Sequence, residues 1–277
     1  MAAATGDRER VEQPTTRSEG NEPARRGPAA PTSLEAKATR LREIRPPLTI
    51  AVAQPRCRPK DVPSNARAHA SLIRSARARV IVFPELSLTG YELDAEPVSR
   101  DDQVLMTIVE ACAEANSVAL VGAPVADIDS RPHIGTLQIG PDGIDVAYRK
   151  CYLGGEEPAR FAPGAGPVAF ELDGWRIGLG ICKDTSVEQH ILATAALDVD
   201  LYAAGLVHLP SELDMQENRA IRIARACAAY VAFASFAGPT GGGFDHTAGV
   251  SSIWTTHGNA ITRAGSQPGE LARATLS

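Results

Sequence analysis

Three reactive side chains in this sequence each follow a short apolar segment. Glu85, Lys150 and Cys182 come directly after runs rich in β-branched or aliphatic residues. Together they supply a nucleophilic thiol, a carboxylate that can take its proton, and an ammonium that can stabilise an oxyanion. The same carboxyl group can return a proton to a leaving amine. The set therefore points to covalent chemistry at a carbonyl carbon.

Each residue, taken alone, also has an ordinary structural explanation. Most free cysteines are small, buried, apolar side chains. A glutamate after a strand is often a solvated loop residue, and a lysine most often lies on the surface. Because the three are far apart in the chain, only a fold that gathers several strand ends can unite them.

The turn around Cys182 has the pattern of a strand-to-helix connection. Residues 175–181 are typical of a buried strand, and residues 187–196 are typical of a short helix. Asp184, Thr185 and Ser186 are of the types that cap helices. In open α/β sheets, ligands bind at such carboxyl ends of strands. Amides at a helix start also favour negative charge, which suits a thiolate or an oxyanion.

The rest of the chain predicts a mixed α/β fold. Strands and helices alternate from residue 48 to residue 123, which favours a largely parallel sheet with right-handed crossovers. Turn residues then predict three hairpins, centred on residues 141–143, 173–174 and 257–259. A long helix is expected over residues 211–229. Its arginines, Arg219, Arg222 and Arg225, are expected on a solvated or dimer-facing side.

Composition limits the class of protein. The 277 residues are 44% hydrophobic, enough for a substantial core, and the net charge of −5 argues against nucleic acid as the main partner. Five cysteines without a C-x-x-C pair suit reduced thiols in a cytoplasm. The six histidines lack metal-ligand spacing. Neither a membrane span nor a signal peptide is recognisable, so we expect a cytoplasmic protein without metal or cofactor.

The chain divides into two zones of different composition. Residues 1–46 lack apolar periodicity and are predicted to be a disordered tail. Residues 47–277 are predicted to form one catalytic domain. The glycine-rich stretch 238–243 matches neither a P-loop nor a dinucleotide fingerprint, and a flexible loop near the pocket is the better interpretation.

Three stretches in a fixed order resemble the nitrilase superfamily of carbon–nitrogen hydrolases. They are VFPELSLTGY at 82–91, YRKCYLGGEEPARFAPG at 148–164 and GICKD at 180–184. The resemblance covers about residues 48–276. It implies an α/β fold, a four-layer α-β-β-α sandwich of the carbon–nitrogen hydrolase type. It also implies a homodimer or higher homo-oligomer, formed through helices beside the nucleophile.

The resemblance also implies site roles. Glu85 would be the general base and acid, Lys150 the stabiliser of the oxyanion and Cys182 the nucleophile. Glu157 best fits the second glutamate of the family, and its neighbour Glu156 fits less well. The Lys183 backbone N–H is expected to serve the oxyanion hole. Tyr91 and His208, which lies just past a predicted strand end, are candidates for lining the substrate pocket. A hydrogen-bonded structural role for His208 stays open.

Departures from the family pattern narrow the expected reaction. Lys183 stands where an aromatic or small residue is common, and its side chain is a candidate for attracting an acidic substrate. The stretch Cys182-Lys183-Asp184 also differs from the Cys-Trp-Glu of true nitrilases. We therefore expect hydrolysis of a non-peptide amide or carbamoyl bond in a small molecule. An acyltransferase and a catalytically silent binding subunit are the alternatives, and an unrelated thiol redox protein is the weakest.

Overall fold

The computed structural model describes residues 45–126 and 131–277. Almost all of the predicted tail, residues 1–46, lies outside the described residues. In the described part, the chain forms two six-stranded sheets and five α-helices. None of these helices is both long enough and apolar enough to cross a membrane.

The first sheet combines the predicted parallel unit with a hairpin. Its strands are β1 (Leu48–Ala53), β2 (Val80–Val82), β3 (Val118–Val125), β4 (His133–Gly140), β5 (Gly143–Arg149) and β14 (Leu271–Leu276). Their order is β14-β1-β2-β3-β4-β5. The neighbours β1, β2 and β3 are parallel, whereas β4, β5 and β14 pair antiparallel with their neighbours.

The second sheet repeats this plan. Its strands are β6 (Ala169–Leu172), β7 (Trp175–Ile181), β8 (Leu201–Leu206), β9 (Tyr230–Ser235), β12 (Ser252–Trp254) and β13 (Ala260–Arg263). Their order is β13-β12-β9-β8-β7-β6, with β7, β8 and β9 parallel. Two short strands, β10 (Ala237–Gly238) and β11 (Thr247–Ala248), pair separately. All three predicted hairpins are present.

Helices cover the outer face of each sheet. They are α1 (Val62–Ala76), α2 (Met106–Ala115), α4 (Glu188–Ala195) and α5 (Leu213–Cys227), while the short α3 (Glu157–Arg160) lies in the loop between β5 and β6. Helices α1 and α2 pack on the first sheet, and α4 and α5 pack on the second. The four-layer α-β-β-α sandwich predicted from the sequence is thus confirmed.

Three apolar layers hold the sandwich together. Alternation along β2 shows how, since Ile81 joins the layer under the helices while Val80 and Val82 join the layer between the sheets. A strand buried on both faces needs apolar residues at every position. This explains why β2 appears in the sequence as an unbroken apolar run.

The turn after β7 differs from the prediction. Residues Cys182–Ser186 form a 3-10 helix, and α4 starts only after Val187, which provides no side-chain cap. The Asp184 carboxylate accepts instead from the Ile181 amide at 2.9 Å. The expected capping role of Asp184 is therefore wrong for α4, because its oxygens are engaged on the strand side.

Two glycines let both sheets close tightly on the Pro84–Glu85 segment. A Cβ atom added to Gly205 of β8 would lie 2.7 Å from the Glu85 nitrogen and 2.7 Å from the Phe83 oxygen. A Cβ atom on Gly122 of β3 would meet the same segment from the other side, 2.5 Å from the Leu86 nitrogen. Only hydrogen fits at either position, so the segment is fixed between the sheets.

We expect Gly205→Ala to lower the free energy of unfolding by about 1–3 kcal/mol, because the new methyl group must displace backbone atoms. Gly140→Ala is the matched control in strand β4, since its Cβ atom would meet nothing closer than 3.8 Å. The control should change stability by less than about 0.5 kcal/mol. Urea unfolding of both variants is the measurement, and equal effects would contradict this packing account.

Candidate active site

The strand ends of the two sheets converge on one site. Lys150 directly follows β5, and Glu85 lies three residues beyond the end of β2, so the first sheet supplies both. Cys182 directly follows β7 of the second sheet. The three residues act on one another electrostatically. The structure therefore brings together the three side chains singled out in the sequence.

A buried ammonium lies at the centre of this site. The Lys150 Nζ donates to Glu85 Oε1 at 2.6 Å and to Glu157 Oε1 at 2.7 Å. Lys150 is only 1% exposed. Its backbone is fixed on both sides, because its N–H donates to Ile134 and its carbonyl accepts from Gly164. The ammonium group therefore has little freedom to leave the two carboxylates.

Glu157 is the better placed of the two neighbouring glutamates. Its Oε1 also accepts from the Tyr91 hydroxyl at 2.6 Å, and its Oε2 accepts from the Gly154 amide at 2.8 Å. Glu156 is exposed. The Tyr91 ring packs edge-on against Phe244, which directly follows the glycine-rich loop of residues 238–243, at 4.9 Å, and the Tyr91 amide donates to Thr240 of that loop. Tyr91 thus connects that loop to the buried carboxylate.

The Glu85 carboxyl group has a pKa near neutral pH, which suits it to exchange a proton. Burial raises its pKa to about 7, the Lys150 ammonium opposes this shift, and the Glu157 charge reinforces it. Its Oε2 is buried and has no hydrogen-bond partner among the described residues. That oxygen is free to accept a proton, while Oε1 stays bound to Lys150.

Lys150 keeps its charge despite its burial. Burial alone lowers the pKa of an ammonium, but the carboxylates of Glu85 and Glu157 outweigh this effect and raise it above its usual range. The site therefore always contains one fixed positive charge. Proton exchange is left to Glu85.

Cys182 occupies a strained and half-buried position. Its φ of +38° lies in the left-handed region, which a non-glycine residue seldom adopts. Its Sγ lies 3.7 Å from the Val207 carbonyl oxygen. Burial and the charge of Glu85 raise the pKa of the thiol to about 12, although Lys150 opposes the shift. At neutral pH the thiol is protonated and needs a base.

A buried aspartate joins the two loops that carry Lys150 and Cys182. Asp184 accepts from the Tyr152 amide at 2.9 Å through Oδ1, and from the Ile181 amide at 2.9 Å and the Tyr148 hydroxyl at 2.8 Å through Oδ2. His190 Nε2 lies 2.8 Å from the same hydroxyl. Sequence patterns assign Asp184 only to a helix cap, since Tyr148 and Tyr152 lie 36 and 32 residues away in the chain.

His208 lies near the site but is buried. Its Nδ1 donates to Gln216 Oε1 at 2.9 Å, and its Nε2 accepts from Arg219 Nη1 at 3.2 Å. It directly follows Val207, whose carbonyl contacts the thiol. Arg219 is half-buried against His208 rather than fully solvated, and its expected position beside a dimer partner stays a prediction. Its neighbours Arg222 and Arg225 are exposed.

Lys183 is exposed, and the stem of its side chain passes close to Gly154 of the lysine loop. Its backbone belongs to the 3-10 turn that begins at Cys182. Within the described residues, no group of three or more histidine, cysteine or acidic side chains is arranged to hold a metal ion. The side chains that are present suit proton transfer and the stabilisation of negative charge.

The sequence of this chain is similar to a known family of hydrolases. A model of the carbon–nitrogen hydrolase family matches residues 49–277. A hydrolase in the pqqF 5′ region of Pseudomonas protegens is 29% identical over 204 residues, which cover 69% of this chain and 70% of that protein. An (R)-stereoselective amidase from Pseudomonas sp. is 27% identical over 127 residues, 44% of this chain and 46% of that protein.

The fold is shared with a solved structure. XC1258 from Xanthomonas campestris, a CN-hydrolase superfamily protein, superimposes with a TM-score of 0.75 at 19% sequence identity. The match covers 84% of this chain and 91% of that chain. With the family model spanning both sheets and every residue of the site, the chain belongs to the carbon–nitrogen hydrolase family of the nitrilase superfamily.

Proposed function

We propose that this enzyme hydrolyses an amide or carbamoyl C–N bond of a small molecule through a thioester on Cys182. The observation that carries the proposal is the buried Lys150 ammonium, bound to Glu85 and Glu157 beside the Cys182 turn. Membership of the family supports C–N bond hydrolysis. The similarity to an amidase favours an amide-like substrate over a nitrile.

In the first half-reaction, Glu85 takes the proton of the Cys182 thiol while the sulfur attacks the carbonyl carbon. The tetrahedral oxyanion is stabilised by the Lys150 ammonium and the Lys183 backbone N–H. Glu85 then gives its proton to the leaving nitrogen as the C–N bond breaks, which releases ammonia or an amine and leaves a thioester.

In the second half-reaction, Glu85 takes a proton from water as the water oxygen attacks the thioester carbonyl. The thiolate leaves and receives that proton, which restores the starting enzyme. Glu157 accepts from Lys150, Tyr91 and Gly154, and in this role it fixes the ammonium rather than transferring protons. Tyr91 and the glycine-rich loop next to it are proposed to line the substrate pocket.

Cys182→Ala should abolish ammonia release from amides and remove the covalent adduct seen by intact-mass spectrometry. Cys57→Ala is the matched control, a second half-buried cysteine outside the triad, and it should keep both signals. An adduct that persists in Cys182→Ala would contradict the mechanism. With hydroxylamine added, a hydroxamate product without competing hydrolysis would instead identify an acyltransferase.

The pH profile should follow Glu85. Because Glu85 must be deprotonated to act as a base and its pKa is about 7, kcat/KM should rise with pH and level off above about 7. Kinetics from pH 5 to pH 9 are the measurement.

Two variants test this assignment. Glu85→Gln should lower kcat/KM by about 10²–10⁴-fold, because the amide side chain cannot accept the thiol proton. Glu156→Gln, at the exposed neighbour of Glu157, should keep the wild-type profile. A wild-type profile that is flat between pH 5 and pH 8 would exclude Glu85 as the base.

Asp184 is proposed to position the catalytic groups without touching substrate. Both of its carboxylate oxygens act as acceptors. One accepts from the Tyr152 amide, close to Lys150, and the other accepts from the Ile181 amide, next to Cys182. An asparagine offers only one acceptor oxygen, so one of these amides would face an NH₂ group. The distance between Lys150 and Cys182 would then no longer be fixed.

Asp184→Asn should therefore lower kcat by about 10–100-fold while KM changes less than about threefold. Asp200→Asn is the matched control, because Asp200 is also buried. Its carboxylate accepts a hydrogen bond from the Arg176 amide and forms an ion pair with Arg45. The control should lose stability and keep kcat. If both variants lose only stability, Asp184 is merely structural.

A further inference from the structure

Three arginines form a positive cluster beyond the carboxyl end of β1. Arg56 and Arg58 lie in the loop after this strand, and Arg67 lies in α1. None of the ion pairs formed among the described residues includes any of them. Asp61 acts on Arg58 and Arg67 electrostatically, but its carboxylate accepts from the Ser64 amide at 3.0 Å. The cluster therefore has an excess of positive charge, in a chain whose net charge is −5.

Two further acidic residues on this side of the molecule have partners of their own. Asp94 forms an ion pair with Lys60 at 2.7 Å. Glu92 accepts from the Gly242 amide at 3.2 Å, in the glycine-rich loop. Neither carboxylate forms an ion pair with the three arginines, so the excess charge of the cluster stays unbalanced.

The three arginine side chains line one cavity of about 330 Å³, a volume within the range of small-molecule sites. Its lining contains no acidic residue and consists of Arg56, Arg58, Ser64, Asn65, Arg67 and Ala68. Arg67 Nη2 donates to Ser64 Oγ at 3.0 Å, which holds this guanidinium beside the first turn of α1. The cavity thus gathers three cations around one space.

A second cavity rich in arginine shows a cluster whose charge is balanced. Arg74, Arg77 and Arg79 line a cavity of about 620 Å³, and Glu114 lines it as well. Arg74 forms an ion pair with Glu114, and Arg79 forms one with Asp173 at 2.7 Å. The cavity after β1 lacks such partners within the described part of the chain, so a bound anion would supply the missing negative charge.

The loop that carries Arg56 and Arg58 is fixed on α1 by a buried side chain. Asn65 Oδ1 accepts from the Arg58 N–H, and Asn65 Nδ2 donates to the Arg58 carbonyl, both at 2.8 Å. The same Nδ2 donates to the Leu88 carbonyl at 2.9 Å, and Asn65 is only 1% exposed. A backbone that is ordered before binding loses less conformational entropy when a ligand arrives.

A phosphate group suits this cluster better than a carboxylate does. Guanidinium groups form paired hydrogen bonds to phosphate oxygens, and arginine clusters are a recurrent means of recognising phosphate. A carboxylate has one charge and two oxygens, whereas a phosphate monoester has close to two charges and three free oxygens. Three guanidinium groups around one space therefore match the larger number of acceptors.

We propose that Arg56, Arg58 and Arg67 bind a phosphate-bearing ligand at a site separate from the Cys182 thiol. The cavity is lined by none of Glu85, Lys150, Glu157 and Cys182. The ligand therefore binds independently of the amide, and the inference goes beyond the proposed function without resting on it.

Titration calorimetry with inorganic phosphate at low ionic strength is the first measurement. We expect phosphate to bind about tenfold more tightly than acetate, because it offers more charge and more acceptors. Arg58→Gln and Arg67→Gln should each weaken phosphate binding about 5–20-fold, and Arg58→Lys should recover part of the loss. Equal affinities for phosphate and acetate, or unchanged affinity in both glutamine variants, would overturn the proposal.

Arg74→Gln is the matched control. Arg74 is on the same helix as Arg67, its side chain is exposed, and the substitution removes the same charge. The control should change phosphate affinity less than about twofold. An equal loss in Arg74→Gln would mean that net charge alone attracts the anion, which contradicts a built site. Equal thermal unfolding temperatures of the variants would show that the comparison is between folded proteins.

Two further arms define the ligand and the site. Phenyl phosphate, a monoester, should bind the wild type and lose affinity in Arg58→Gln. Tighter binding than inorganic phosphate supports an organic phosphate as the ligand, and weaker binding supports free phosphate. Cys182→Ala should bind phosphate as tightly as the wild type does, and competitive inhibition of amide hydrolysis by phosphate would overturn the separate site. If phosphate binds as expected but no amide is cleaved, the proposed function fails while this inference stands.

Discussion

The burial of one ammonium between two carboxylates is the constraint on which this site depends. Taking three charged groups out of water is costly, and the cost is offset only if the partners stay in contact. Lys150 meets this condition because Glu85 and Glu157 each bind its Nζ within 2.7 Å. Part of the cost of burying these charges is seen at Glu85, where burial raises the pKa of the carboxyl group. The burial that makes the charged site costly is thus also what brings the pKa of Glu85 close to neutral pH.

The four-layer architecture fixes the positions of these groups relative to Cys182. The first sheet carries Glu85 and Lys150, and the second carries Cys182, so the packing between the sheets sets the distance between the Glu85 carboxyl group and the Cys182 thiol. Gly122 and Gly205 allow close approach around the Pro84–Glu85 segment. The carboxylate of Asp184 then connects the two sheets, because it accepts from the Tyr152 amide after β5 and from the Ile181 amide of β7. Precision at the site therefore comes from backbone proximity and one buried acceptor.

The sequence revealed the parts that depend on local pattern. Buried strands appear as apolar runs, so the positions of Glu85, Lys150 and Cys182 at strand ends could be predicted. The four-layer sandwich was expected only from the resemblance to the family. Contacts between distant segments could not. Asp184 has the local signature of a helix cap, and its true partners lie on β5, its following loop and β7. Arg219 has a helical periodicity that suits solvent, and only the tertiary structure places His208 against it.

The raised pKa of Cys182 has a consequence beyond turnover. A thiol that stays protonated at neutral pH is a poor target for peroxide and for adventitious electrophiles, which react with thiolates. In the proposed reaction, Glu85 removes this proton as the sulfur attacks a bound carbonyl carbon. Burial of this cysteine thus disfavours its thiolate, the form that reacts with peroxide and electrophiles, at neutral pH.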